Sequence, residues 1–192
     1  LRKFGVHCVA HIPERAEGYG MNADALGRLI DEYAPSLIVT VDCGISNKEE
    51  VEYIKSRGVK VIVTDHHEAG PELPQSIAVI NPKIYPELED LQLLAGAGTA
   101  FKLAHAFIKY GRENNLGGFQ TRLEEVLDYV ALGTVADIVP LLGENRIMVK
   151  YGIEILRKQL RPGIRALIES SRLKNETGDY EDPVRTGLYS GL

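Results

Sequence analysis

No apolar run in this 192-residue chain approaches the roughly 18 residues that a membrane-spanning helix needs. It does not open on a secretory signal either, because Leu1-Arg2-Lys3-Phe4-Gly5 leads straight into strand-like sequence. The only cysteines, Cys8 and Cys43, show no C-x-x-C spacing, which argues against a cysteine metal site and for a reduced, cytoplasmic setting. Internal repeats and low-complexity tracts are missing. So is an excess of positive charge: the net charge is −5, a balance that usually argues against nucleic acid as a partner. The distribution qualifies that reading. Residues 1–96 carry 9 basic and 15 acidic side chains, the remainder 13 and 12. An acidic first half suits cation-binding carboxylates. In the second half Arg157, Lys158, Arg161, Arg165, Arg172 and Lys174 form a basic cluster that either meets phosphates or lines a solvated helix face.

What the chain does contain is a buried-strand pattern that stops on polar chemistry. Val61-Ile62-Val63-Thr64 is a run of four β-branched residues, and Asp65-His66-His67-Glu68 follows at once. About twenty residues earlier Leu37-Ile38-Val39-Thr40-Val41 runs in the same way into Asp42-Cys43-Gly44. Open α/β sheets bind their ligands at the C-terminal ends of parallel strands. Two strands that each deliver a carboxylate there point to a metal site.

Periodicity supplies the frame. Val6–Ile12, Leu37–Val41, Val59–Thr64 and Ile77–Ile80 read as strands, the last stopped by Asn81-Pro82. Between the first three lie two helical segments. One is capped by Asn22 or Asp24 and runs to Tyr33, with Leu26, Leu29 and Ile30 on its inner face. The other is capped by Ser46 or Asn47, turns Val51 and Ile54 inward and closes at Gly58. This alternation predicts βαβ units and a parallel sheet. Residues 1–95 therefore form the parallel α/β part of a domain. Residues 96–174 form its helical part, with helices over Thr99–Tyr110, Thr121–Val135, Asn145–Leu160 and Gly163–Ser171. Residues 175–192 read as a polar tail or a linker to a further domain.

A third acid, Asp137, stands in Gly133-Thr134-Val135-Ala136-Asp137-Ile138-Val139-Pro140 near a helix end. Its small and apolar neighbours suggest burial, which is expensive for an unpaired charge and which a cation would relieve. Asp42 and Asp65 have a plainer use as helix caps. No base is tied to Cys43 in sequence, so a packed residue is expected there and not a nucleophile. Arg15, after the first strand, is placed to grip a phosphate. The start of the helix at Gly96-Ala97-Gly98-Thr99 offers backbone N–H groups to an anion, with close helix packing as the alternative reading of its glycines.

Taken in order, Val41-Asp42-Cys43-Gly44-Ile45-Ser46, Val63-Thr64-Asp65-His66-His67-Glu68 and Leu132-Gly133-Thr134-Val135-Ala136-Asp137-Ile138-Val139-Pro140-Leu141 resemble successive motifs of the DHH phosphoesterase superfamily. The stretches Ile12-Pro13-Glu14-Arg15, Glu17-Gly18-Tyr19-Gly20, Leu94–Leu103 and Gly143-Glu144-Asn145-Arg146 are similar to the RecJ branch, the single-strand-specific exonucleases. The resemblance spans residues 5–165. It implies a hydrolase that uses two manganese ions, magnesium being the alternative metal, with Asp42 bridging both ions and His66 and Asp137 as ligands of one of them. Asp65 and His67 would act behind the ligands or against the scissile phosphate, and Arg15, Gly96, Gly98 and Thr99 would contact substrate phosphates. The implied activity is 5′-to-3′ degradation of single-stranded DNA in repair and recombination. The implied partners are a helicase and a single-strand-binding protein, with no membrane.

Two other functions fit such a chain. One is a relative that cleaves short oligonucleotides, cyclic dinucleotides or a nucleoside bisphosphate. The other is a catalytically silent replication scaffold of the same fold. The Asp-x-Asp motif that should precede Phe4 and the usual C-terminal domain are missing from the sequence, so a weakly active or inactive fragment is expected.

Overall fold

The computed structural model describes residues 1–14, 18, 20–158 and 161–170, the side chains of 158 and 168–170 excepted. Three strands form one parallel sheet in the order β1 (Leu37–Val39), β2 (Lys60–Thr64), β3 (Ala78–Ile80). The register pairs Ile38 with Val61 and Val63 with Val79, so β2 is central. Pairing continues past the strands, with the amides of Thr40, Asp42 and Asp65 donating to the carbonyls of Ile62, Thr64 and Ile80, each at 3.0 Å. Because the strands are parallel, all three C-terminal ends lie on one edge of the sheet.

Two helices cover one face. In α1 (Ala23–Tyr33) the Asn22 side chain caps the start by accepting from the Ala25 amide at 3.1 Å, and Ala34 ends it in the left-handed conformation before Pro35. Asn47 sits at the cap position of α2 (Lys48–Ser56), where its amide reaches the Glu50 carboxylate and not a backbone donor. Leu26 and Ile30 of α1, Val51 and Ile54 of α2, and Val61 and Val63 of β2 form a continuous core. Val51, Ile54, Val61 and Val63 are fully buried. On the other face of β2, Ile62 is only half-buried.

The segment Val6–Ile12 is not a strand. It is irregular, no strand pairs with it among the described residues, and Val6, Val9 and Ile12 are exposed. Alternating apolar residues make a strand only where a neighbour can take up the backbone donors and acceptors.

Cα packing divides the chain into two compact units. One comprises Leu1–Gln92 with Thr99–Thr121, the other Leu93–Gly98 with the chain from Arg122 onward. The first contains the sheet, α1, α2 and most of α3 (Gly96–Glu113). It also holds an aromatic cluster in which Phe4 stacks on Phe119 at 4.5 Å and meets Phe107 edge-on at 5.5 Å. The second is helical, with α4 (Leu127–Ala136), α5 (Gly143–Lys158) and α6 (Pro162–Ser170) around Ala131, Val149, Leu156 and Ile164. Helices α4 and α5 approach very closely. A Cβ on Gly152 would lie 2.2 Å from the Leu127 carbonyl oxygen, so only glycine fits there.

The basic cluster of the second half is partly spoken for. Arg161 forks onto the fully buried carboxylate of Asp128, its Nε meeting Oδ2 and its Nη2 lying 3.3 Å from Oδ1. The same guanidinium donates to the Glu125 carbonyl and lies over the Tyr129 ring at 4.6 Å. Arg161 is therefore a structural cation. Replacing it with alanine would leave Asp128 buried without its counter-charge, at an expected cost of about 3 kcal/mol. Arg161→Lys should recover only part of this, because an ammonium cannot fork. Thermal unfolding of the three proteins measures the difference.

Candidate metal centre

Each loop of the site begins where a strand ends. After β1 the chain turns through Asp42, whose φ of +65° is left-handed, a conformation that Asp tolerates better than most residues. After β2 it enters Asp65-His66-His67. The His66 Nε2 lies 3.0 Å from the Asp42 Oδ1, with the imidazole buried and the carboxylate about half exposed. His67 joins them, and one ligand atom from each of Asp42, His66 and His67 falls within 4.8 Å of the others. Two imidazoles and a carboxylate running from a buried ring to an exposed acid are a donor set suited to a divalent transition metal.

Asp65 points the other way. Its side chain is 2% exposed, and both oxygens are engaged inside the protein. Oδ2 accepts from the Ile45 amide at 2.9 Å, while Oδ1 accepts from the His66 and His67 amides at 2.7 and 3.2 Å and meets the His67 Nδ1 at 2.7 Å. Burial pushes this carboxyl up, but the Ile45 amide, the His67 ring and the two neighbouring amides together outweigh it. Asp65 is held below the ordinary carboxylate value of 3.8 and is ionised at neutral pH. An ionised acceptor at Oδ1 requires the proton of neutral His67 to sit on Nδ1, which makes Nε2 the basic nitrogen.

Burial also raises the Cys43 thiol, and the Asp65 charge adds to that effect, so the thiol stays protonated. This agrees with a packed residue and not a nucleophile. Gly44 next to it has a φ of +112°, and a Cβ there would lie 2.8 Å from the Thr40 hydroxyl. Gly44→Ala should therefore cost about 2–3 kcal/mol through backbone strain alone. It should also disturb the turn that carries Asp42. Chemical denaturation and manganese titration of the variant test both effects.

The other expected site residues fare differently. Asp137 belongs to the second compact unit and follows α4 as its C-terminal cap, its amide donating to the Gly133 carbonyl at 3.1 Å. It is exposed, which corrects the expectation of burial: the helix ends before it, and its apolar neighbour Ile138 is itself 82% exposed. A carboxylate at a helix C-terminus still meets the negative end of the macrodipole, which a cation would relieve. Gly96, Gly98 and Thr99 are all buried at the start of α3. A Cβ on Gly98 would lie 3.2 Å from Leu94 and from Met148, so close packing accounts for that glycine. Arg15 lies outside the described residues.

One residue of the site was read only as a strand stop. Asn81, 1% exposed at the end of β3, donates from Nδ2 to the His67 carbonyl at 2.8 Å and accepts from the Lys83 amide at 3.0 Å. The third strand thus fastens the histidine loop. An asparagine directly before proline at a strand end was the available signal.

Comparison with known proteins gives a consistent picture. The N-terminal domain model of the DHH family matches residues 1–134. The single-stranded-DNA-specific exonuclease RecJ of Bacillus subtilis is 45% identical over 176 residues, covering 89% of this chain and 20% of the relative. Its counterpart from Escherichia coli is 44% identical over 166 residues, covering 82% of this chain and 28% of the relative. A crystal structure of exonuclease RecJ bound to manganese superposes with a TM-score of 0.69 at 36% identity, covering 88% of this chain and 40% of that one. The chain thus spans less than a third of the length of these two relatives. No helix among the described residues is long and apolar enough to cross a membrane.

Proposed function

Because the chain belongs to the DHH family, we propose that it carries the catalytic core of a metal-dependent phosphodiester hydrolase, a 5′-to-3′ exonuclease specific for single-stranded DNA. The observation that carries this reading is the 3.0 Å approach of Asp42 to His66, with His67 beside them, at the C-terminal edge of a parallel sheet. The match to RecJ exonucleases supports the substrate class, and the manganese-bound relative supports the metal. The donor set fits manganese, which accepts mixed imidazole and carboxylate ligands more readily than magnesium does.

In this reading Asp42 and His66 hold the metal; the family resemblance gives Asp137 as a further ligand. A pair of such ions supplies Lewis-acid stabilisation of the phosphate and lowers the pKa of water. The protein's own groups do the rest. Asp42 offers a carboxylate on a turn pinned to β2, so ligand geometry is fixed before substrate arrives. His67, locked by Asp65 with its proton on Nδ1, presents Nε2 to accept a proton and, once protonated, to donate to a phosphate oxygen. The intact Asp42, His66 and His67 oppose the scaffold reading.

The test is hydrolysis, with manganese, of a long 5′-labelled single strand, the same sequence as a duplex, and a dinucleotide. Loss of 5′ nucleotides from the single strand alone is expected, at the low rate of a weakly active fragment. Preference for the dinucleotide would replace the exonuclease by a small-substrate phosphodiesterase.

A further inference from the structure

The Asp42 turn is held by a residue to which nothing so far has given a role. Thr40 is 6% exposed, and its hydroxyl makes two hydrogen bonds. Oγ1 donates to the Cys43 carbonyl at 2.7 Å and accepts from the Thr64 amide at 3.1 Å. The first bond closes the chain over Asp42 from one side to the other. The second ties that loop to the residue just before Asp65-His66-His67. The Asp42 amide meets the Thr64 carbonyl at 3.0 Å, and Cys43 forms an antiparallel bridge with Thr64. One hydroxyl therefore spans both ligand-bearing loops. It sits where Gly44 leaves space for it, since a Cβ at that glycine would lie 2.8 Å from Oγ1.

We propose that Thr40 is a positioning residue for the metal centre: its hydroxyl fixes the left-handed turn at Asp42 against the end of β2 and so sets the Asp42–His66 separation. The inference rests on the metal reading of that pair. Thr40 is on the strand side of the turn and buried, so it acts through backbone groups and not as a ligand. Groups that orient ligands from behind typically affect metal affinity 10–100-fold. Threonine is required for its hydroxyl and not for its shape, which makes valine and serine a discriminating pair.

The experiment compares the full chain with Thr40→Val, Thr40→Ser and Val61→Ala. The last is a core change in β2 that lowers stability without touching either loop. Manganese affinity is measured by electron paramagnetic resonance of the free ion, and amide hydrogen exchange is followed in the metal-free proteins. Thr40→Val is expected to weaken manganese binding by about 10–100-fold and to speed exchange at Asp42, Ile45 and Thr64. Thr40→Ser should stay within about threefold of the parent, and Val61→Ala should lower the melting temperature with little change in affinity. Parental affinity in Thr40→Val overturns the role of Thr40 and leaves the metal reading standing. An affinity loss in Val61→Ala equal to that of Thr40→Val overturns it too, by showing a general stability effect. Failure of the parent chain to bind manganese overturns the metal reading and this inference with it.

Discussion

Asp42→Asn is expected to lower manganese affinity by more than about a hundredfold, beyond what loss of an orienting group costs, and to abolish exonuclease turnover. The substitution removes one charge and almost no volume. Asparagine also tolerates the left-handed backbone that Asp42 adopts, so the fold should hold. The side chain is about half exposed, and the melting temperature of the metal-free protein should shift by no more than a few degrees. Free-manganese titration beside thermal unfolding separates the two effects. Unchanged metal binding would remove Asp42, and with it the centre, from the proposed chemistry.

The second large effect concerns Asp65, where stability and function fail together. Its carboxylate takes three backbone N–H groups and one ring nitrogen, all in a buried place. In Asp65→Asn one oxygen becomes an NH2 group that faces donors, which leaves at least one buried N–H without an acceptor. The expected loss is about 2–4 kcal/mol. The pH dependence has a definite sign. The folded-state pKa of Asp65 lies below the unfolded value, so its stabilisation is complete above about pH 4 and is lost as pH falls through the folded pKa. Acid unfolding of the parent should show this slope, and that of Asp65→Asn should show less of it. Equal slopes in urea titrations from pH 5 to 2 would contradict the assignment.

Much of this arrangement is legible in the amino-acid sequence itself. Val61-Ile62-Val63-Thr64 and Leu37-Ile38-Val39 signal strands because β-branched residues suit a pleated surface, and the acids and imidazoles that follow mark the edge where the candidate metal centre lies. The orientation of those polar groups was not legible. Asp65 and His66 are neighbours in sequence, yet one turns inward to backbone donors and the other meets Asp42, a choice made by the turn and not by composition. Thr40 acts on a residue 24 positions away and no local pattern reports that bond, while Asn81 acts 14 positions away and its place before a proline at a strand end is only an indirect signal. Asp137 misled because apolar neighbours imply burial only while the helix continues, and α4 stops before it. Arg161 misled for the opposite reason, since its partner Asp128 lies 33 residues away.

The parallel register has a consequence for how this chain tolerates change. Side chains of a strand alternate between faces, so sliding β2 by one residue against β1 would turn Val61 and Val63 away from α1 and α2 and put Ile62 and Thr64 in their place. The same slip would carry the imidazole of His66 out of reach of Asp42. Length between Ser56 and Lys60 is therefore more tightly constrained than identity. A one-residue deletion in that connection should do more harm than any single substitution within it, and natural variation there should take the form of replacements and not of gaps.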